Sequence, residues 1–268
     1  MMELTKILLT TDDGIHSPGL RAAAEILLDL GEVTVVAPMN QQTSMGRSYH
    51  AHPDAVLVPV PFKIDGTNVL AYCCECSPAV AIRHGMDVLF REKNPDLVVA
   101  GINYGENLSI GIGTSGTVGA ALEGAVRGVP ALGISKQTDV YSHRNYTEQD
   151  WSISKFFLKL FAERLLSARM PFDVDALKVD VPDNATEQTP WRITRLARQT
   201  YYSRILPNPG VKTRVRDMQT GIEPSAVQAE PGTDVHAIVV ERVVSVTPVS
   251  LDITSRMNPD ELDRVLRD

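Results

Sequence analysis

KILLTTDDGIHSPGLRAAAEILLDLGEVTVVAP, residues 6–38, decides the fold. Lys6–Thr11 is short and apolar and stops at Asp12-Asp13-Gly14, as a strand buried on both faces does. Pro18 stands where a helix opens, and Gly19–Leu30 has helical apolar spacing. Gly31 occupies the position of a helix-ending C′ glycine. Glu32–Ala37 is a second apolar strand, closed by Pro38. Strand, helix and strand in succession make a βαβ unit, which requires a parallel pair and a right-handed crossover.

The alternation continues outward. Met39–Pro53 reads as a polar loop, and Ala55–Pro61 and Val69–Cys73 as a β-pair. Ser77-Pro78 caps a helix to about Arg91. Leu97–Ala100 is a buried strand, Gly101–Ser115 a long Gly/Asn loop, Gly116–Arg127 a helix of small residues and Ala131–Ser135 another strand. This is the doubly wound α/β signature: a Rossmann-like, mostly parallel sheet over residues 1–136. In the C-terminal part, 137–268, the pattern loosens. Asp150–Arg169 is an amphipathic helix, Leu177–Val181, Trp191–Leu196 and Ala237–Val246 are strands, and Pro259–Arg267 is a short helix. Arg198–Thr233, polar and Pro/Gly-rich, is expected to form a hairpin arm or an oligomer contact.

Composition narrows the function. The 268 residues are 43% hydrophobic and 22% charged, enough for a sizeable core. A net charge of -7 without a basic run argues against binding a nucleic acid polymer. The clustered Cys73, Cys74 and Cys76 make a poor disulfide framework and lack a fourth zinc ligand, so they read as reduced, partly buried thiols. Ile7–Leu9 is too short for a signal core, and no stretch is long enough to span a membrane. The expectation is a cytoplasmic protein with no membrane partner.

In open α/β sheets, ligands bind beyond the carboxyl ends of the strands. Three polar loops leave strands there, at Asp12-Asp13-Gly14, Asn40–Ser48 and Asn103–Thr117. Adjacent carboxylates at a strand end repel unless a cation neutralises them, and their oxygens suit Mg²⁺, Mn²⁺ or Ca²⁺. The plainer alternative is a solvated Asp-Gly turn. Asn103, Asn107, Ser115 and Thr117 add neutral oxygens and donors. The helix starting at Gly116-Thr117 offers its first N–H groups to an anion, unless it is merely capped. Gly111–Gly116 matches GxGxxG but does not follow a strand directly, so a nicotinamide-dependent oxidoreductase is a distant alternative. His50 and His52 lack a third ligand nearby and read as surface residues.

Several of these segments resemble one family. Ile7–Ile15 with Ser17-Pro18-Gly19 resembles the opening of the SurE survival-protein family, ILLxNDDG-x₃-PG. Pro95–Leu108 resembles its PDLVVSGIN-x-G-x-NL, and Ser115–Gly124 its SGTVAAAMEG. Gly232-Thr233-Asp234 and Val244–Pro248 resemble its GTD and VSVTP. The resemblance implies a Rossmann-like core with a C-terminal extension that builds homodimers or homotetramers. It implies a phosphomonoesterase acting on nucleoside 5′- or 3′-monophosphates, sometimes on short polyphosphate, with one divalent cation, Mg²⁺ or Mn²⁺. Its metal ligands would be Asp12, Asp13, Asn103 and the hydroxyl of Thr43, with Ser44 as the alternative. Asn107 and the Ser115-Gly116-Thr117 turn would hold the phosphate, with Asp12, Asp13 and Asn107 as the catalytic set. Departures from the motif are Thr11 for Asn, Thr43 for Ser, and Val80 where an acid is usual. If those departures abolish turnover, the alternative is a nucleotide-binding regulatory protein. The attacking group would be a water or one of the two aspartates.

Overall fold

A computed structural model describes residues 4–206 and 208–267. The first strands are β1 (Lys6–Thr10), β2 (Glu32–Pro38), β3 (Val58–Pro59), β4 (Lys63–Ile64), β5 (Thr67–Asn68) and β6 (Leu70–Cys74). They are followed by β7 (Leu97–Tyr104), β8 (Ala131–Lys136), β9 (Ala176–Val181) and β10 (Trp191–Ile193). Last come β11 (Tyr202–Ile205), β12 (Gln219–Ile222) and β13 (Val244–Val249). Nine of these form one sheet, in the order β10-β13-β9-β8-β7-β1-β2-β6-β3. The run β6-β2-β1-β7-β8-β9 is parallel throughout. At one edge β3 joins antiparallel, and at the other β13 pairs antiparallel with β9 and carries β10. The chain starts in the middle, winds outward through β2 and β6, then returns to the far side of β1 as β7. Strand order therefore reverses between β1 and β7.

The parallel strands read as unbroken apolar runs because both faces are covered. Alternate residues divide between two cores. Ile7, Leu9, Val33, Val35, Leu97 and Val99 face one layer, which holds α1 (Pro18–Leu27) and α4 (Ser152–Ser167). Leu8, Val36, Val98 and Ala100 face the other, under α2 (Pro78–Leu89) and α3 (Gly116–Ala125). Each fully buried Leu or Ile contributes roughly 1.5–3 kcal/mol, so both layers are held mainly by apolar burial. On α4 the inward stripe is Phe157, Leu158, Phe161 and Leu165. On α2, Ser77 caps the helix by accepting the Val80 N–H, as its Ser-Pro start implies. Residues 234–241 form a short helical stretch, α5 (Asp234–His236) running on to Glu241, and α6 (Pro259–Arg267) closes the chain.

Four expectations need correction. First, β7 does not stop at Ala100 but runs to Tyr104, buried along its whole length, and a 3₁₀ segment at Ser109–Thr114 occupies the expected loop. Second, Ala237–Glu241 is helical, and the strand begins only at Val244. Thr233 caps this turn by accepting the His236 N–H, and left-handed Arg242 (φ 57°) ends it. Third, α1 ends at Leu27, so Gly31 is not its C′ residue; a Cβ there would lie 2.2 Å from the Thr5 carbonyl oxygen. Fourth, the sheet of the core does not end near residue 136, because β9, β13 and β10 extend it. Within Arg198–Thr233, β11 and β12 form the antiparallel hairpin expected of an arm. Among the described residues, no helix is long and apolar enough to cross a membrane.

Candidate functional site

The strand-order reversal puts a crevice at the carboxyl ends of β1 and β7. Asp12 and Asp13 lie just beyond β1, and Asn103 lies near the end of β7. The β7–β8 pairing shifts register between Ala100 and Asn103, an irregularity that re-aims the side chains after it. A cleft of about 630 Å³ opens here, and Asp12, Asp13, Thr43, Ser44, Asn103, Asn107 and Ser115 line it. That volume suits a small organic phosphate. Its far wall comes from the hairpin arm, including Tyr202 and Arg204.

Asp12 is 6% exposed. Its Oδ1 accepts a 2.7 Å hydrogen bond from Thr117 Oγ1, and its carbonyl accepts the Gln42 N–H at 2.6 Å. The α3 N-terminus abuts this carboxylate: a Cβ on Gly116 would stand 2.6 Å from Asp12 Cβ. Burial pushes the Asp12 carboxyl up, while Thr117 and the backbone N–H groups of Thr117 and Gly116 pull the other way. The anion-binding helix end expected from sequence therefore already faces a protein carboxylate. Ser115 caps α3 through the Val118 N–H at 3.1 Å and also reaches the cleft. Thr117 is fully buried and meets the cleft only through Asp12.

Asp13 is 2% exposed and held from three directions. Oδ1 accepts Gln41 Nε2 at 3.0 Å, Oδ2 accepts the Tyr104 N–H at 3.1 Å, and the carbonyl accepts the Tyr146 hydroxyl. Gln41 also donates to the His143 carbonyl at 2.8 Å, so the segment around His143–Tyr146 straps the carboxylate pair. Burial, then the Asp12 charge, pushes Asp13 up to about 8. Gly14, at φ 91°, turns the chain after the pair and lies close against the Asn40 backbone, where a Cβ would come within 3.0 Å.

The amide nitrogen of Asn103 donates to the Gly105 carbonyl at 2.7 Å, leaving its amide oxygen as the remaining acceptor. Asn107 spends one amide N–H on Ser135 Oγ at 2.7 Å and keeps a second. Thr43 and Ser44 are exposed at the cleft edge. His50 and His52 are exposed and outside the cleft, and the three cysteines are free and buried.

Among the described residues, no group of three or more His, Cys, Asp or Glu is arranged to hold a metal. A cation here would rest on two carboxylates completed by amide and hydroxyl oxygens. Such an all-oxygen set fits a hard divalent ion, and two buried adjacent carboxylates stay ionised together only with positive charge between them. The donor chemistry therefore fits Mg²⁺ or Mn²⁺.

Sequence reasoning missed the residues that hold the site still. Gln41, Tyr104, His143 and Tyr146 carry no motif. His143 packs on Gly105, where a Cβ would come within 2.4 Å of its Nε2, and burial pulls its pKa down. Lys178 and Asp180 had a readable signal: two opposite charges on one face of an otherwise apolar strand.

Comparison with known proteins matches the chain along most of its length. The family model described as survival protein SurE matches residues 7–203. A protein of Methanocella arvoryzae named 5′-nucleotidase SurE is 36% identical over 98% of both chains. One of the same name from Thermococcus kodakarensis is 41% identical over 97% of this chain and 98% of its own. The crystal structure of the SurE protein from Aquifex aeolicus superposes with a TM-score of 0.75 at 29% identity, covering 98% of this chain and 100% of that one.

Proposed function

The chain belongs to the SurE survival-protein family, and from that premise we propose that it is a phosphoric monoester hydrolase acting on nucleoside 5′- or 3′-monophosphates with one divalent cation, Mg²⁺ or Mn²⁺. The observation that carries this reading is the buried pair Asp12 and Asp13 at the strand-order reversal, on the floor of a nucleotide-sized cleft. Asp12, Asp13, Asn103 and Thr43 would hold the cation, with Ser44 beside Thr43 as the other hydroxyl. When bound, the cation supplies Lewis-acid polarisation of the phosphoryl group.

The chain's own residues bind and orient. The free amide N–H of Asn107 and the Ser115 side of the turn meet the phosphate oxygens, while Gly116 and Thr117 act through Asp12. Both Asp13 oxygens already accept hydrogen bonds, and Asp12 Oδ1 accepts from Thr117. With both aspartates assigned to the cation, the reading gives the attack to water. The water oxygen joins phosphorus, the ester P–O bond breaks, and the proton that the attacking water gives up goes to the departing nucleoside oxygen. In this reading residues 1–136 supply the reactive groups, and 137–268 adds the far wall through the arm at 198–233. The exposed Ile205, Val215 and Ile222 of that arm support a homodimer or homotetramer. The three free cysteines support a reducing, cytoplasmic setting.

Phosphate release from a panel of nucleoside monophosphates, with Mg²⁺, Mn²⁺ or EDTA, tests this. Metal-dependent release is expected, and Asp12→Asn should lower kcat/KM by more than about 100-fold. An Asp12→Asn enzyme within about tenfold of wild type, a loss of about 1.4 kcal/mol, refutes the metal assignment.

A further inference from the structure

Behind the Asn107 loop lies a charge cluster that the reaction does not touch. Lys178, on β9, is 1% exposed, and both Asp180 and Asp234 are fully buried. Lys178 Nζ lies 2.5 Å from Asp180 Oδ2 and 3.3 Å from Asp234 Oδ2. Each carboxylate also grips the loop above it. Asp180 Oδ1 accepts the Asn107 N–H at 2.7 Å, and Asp234 Oδ2 accepts the Ser109 N–H at 2.8 Å. Asp234 Oδ1 further accepts the Ala197 and Val235 N–H groups, both at 2.9 Å, tying in the base of the arm.

Desolvating three charges is costly, and apolar residues of similar volume would serve packing as well or better. The cluster therefore has to be explained by what it specifies. Ser109 sits at φ 64°, a conformation unfavourable for a residue with a Cβ, and it is held there by its N–H bond to Asp234. Burial pulls Lys178 down, but the two carboxylates outweigh it and keep the ammonium charged. One cation thus fixes two acceptors, which fix two backbone N–H groups on either side of Leu108.

We propose that Lys178, through Asp180 and Asp234, is a positioning device that sets the Asn107–Ser109 backbone, and with it the Asn107 amide, for phosphate. The proposal rests on the phosphatase reading for the identity of the ligand. The structural claim, that the triad orders this loop, does not depend on it. The triad touches neither Asp12 nor Asp13, so phosphate affinity and metal affinity should separate.

In Asp180→Asn, the amide offers one oxygen to two donors, Lys178 Nζ and the Asn107 N–H. One of them loses its acceptor, and the loop should loosen. Lys178→Met takes the cation from both carboxylates and leaves the buried Asp234 without a counter-charge, so Ser109 should loosen as well as Asn107. The full-length proteins are compared by inorganic phosphate inhibition, Mn²⁺ binding and amide hydrogen exchange of the peptide spanning residues 107–109. Asp180→Asn should weaken phosphate inhibition at least tenfold and speed exchange at 107–109, with Mn²⁺ affinity within twofold of wild type. Lys178→Met should weaken phosphate inhibition and speed exchange at 107–109 at least as much, and a folded Lys178→Met that keeps both within twofold of wild type also overturns the proposal. Unchanged exchange and phosphate inhibition within twofold in folded Asp180→Asn overturn the proposal, as does equal loss of phosphate and Mn²⁺ binding. A wild-type protein that hydrolyses no nucleoside monophosphate counts against the phosphatase reading instead, and hydrogen exchange still decides the clamp.

Discussion

Replacing Gly116 by alanine puts the carboxylate site under a test in which stability and activity should part company. Gly116 opens α3, and a Cβ built on it stands 2.6 Å from Asp12 Cβ and 2.7 Å from Asp12 Oδ2. Carbon atoms settle at about 3.5–4.0 Å, so Asp12 and the helix end must separate by about 1 Å. Asp12 cannot swing aside freely, because Thr117 holds its Oδ1 and Gln42 holds its carbonyl. A misplacement of about 1 Å at reacting groups costs about 100-fold in rate, equivalent to about 2.7 kcal/mol. The stability cost is smaller. Overpacking takes about 1–3 kcal/mol, and alanine returns up to about 1 kcal/mol in helix propensity. For a chain of this size each kcal/mol moves Tm by about 2–4 °C. The assay is metal-supported phosphate release with a thermal melt on the same preparation. Gly113→Ala is the control, since a Cβ there meets nothing within 4 Å and should change neither readout. If Gly116→Ala keeps kcat/KM within about threefold of wild type, the packing of Asp12 on α3 does not set its catalytic position.

Thr117→Val keeps the side-chain shape but removes the hydroxyl that donates to Asp12. It should lower Mn²⁺ affinity, measured by calorimetry, by about 10–100-fold, as loss of a ligand's hydrogen-bonding partner does. The second concerns pH. Burial raises the Asp180 carboxyl from its ordinary 3.8 to about 6, so this group's contribution to stability is full below 3.8 and is lost as pH rises through about 6. Asp180→Asn lacks this dependence. The Tm of wild type minus that of the variant should therefore shrink between about pH 4 and 6, and a difference that grows with pH contradicts the assignment.

How much of this was readable from the sequence follows from burial. The parallel strands of the core announced themselves, since two covered faces force unbroken apolar runs such as Ile7–Leu9 and Leu97–Ala100. The extension of β7 through Gly101–Tyr104 was hidden because Gly-Ile-Asn-Tyr has loop composition, although these residues are as buried as the strand before them. Residues 237–246 misled in the opposite sense. Their β-branched run reads as one strand, but Thr233 starts a helical turn upstream and Arg242 breaks it. At the site, Asp12, Asp13 and Asn103 were legible because strand ends place them. Gln41, His143 and Tyr146 were not, because their contacts join loops far apart in sequence, and no local period records such a contact.

The three departures from the family motif can now be weighed by what each side chain does. Thr11 stands where the motif has Asn, and its Oγ1 accepts the Asp13 N–H at 3.3 Å. This is the same local side-chain-to-backbone turn that an Asn makes two residues ahead, so the Asp12-Asp13 corner keeps its support. Val80 stands where an acid is usual, yet its backbone N–H meets the Ser77 cap and its side chain packs against the α2–α3 core, away from the cleft lining. Thr43 is the one departure at the cleft itself. Each aspartate is fixed by donors from other segments, whereas Thr43 and Ser44 share an exposed loop edge, with Ser44 at φ 67°. The carboxylate side of the site is rigid and the hydroxyl side can adapt, so an added methyl falls on the side that can yield. None of the three substitutions removes an oxygen from the proposed ligand set, which favours an active hydrolase over a binding module that has lost its chemistry.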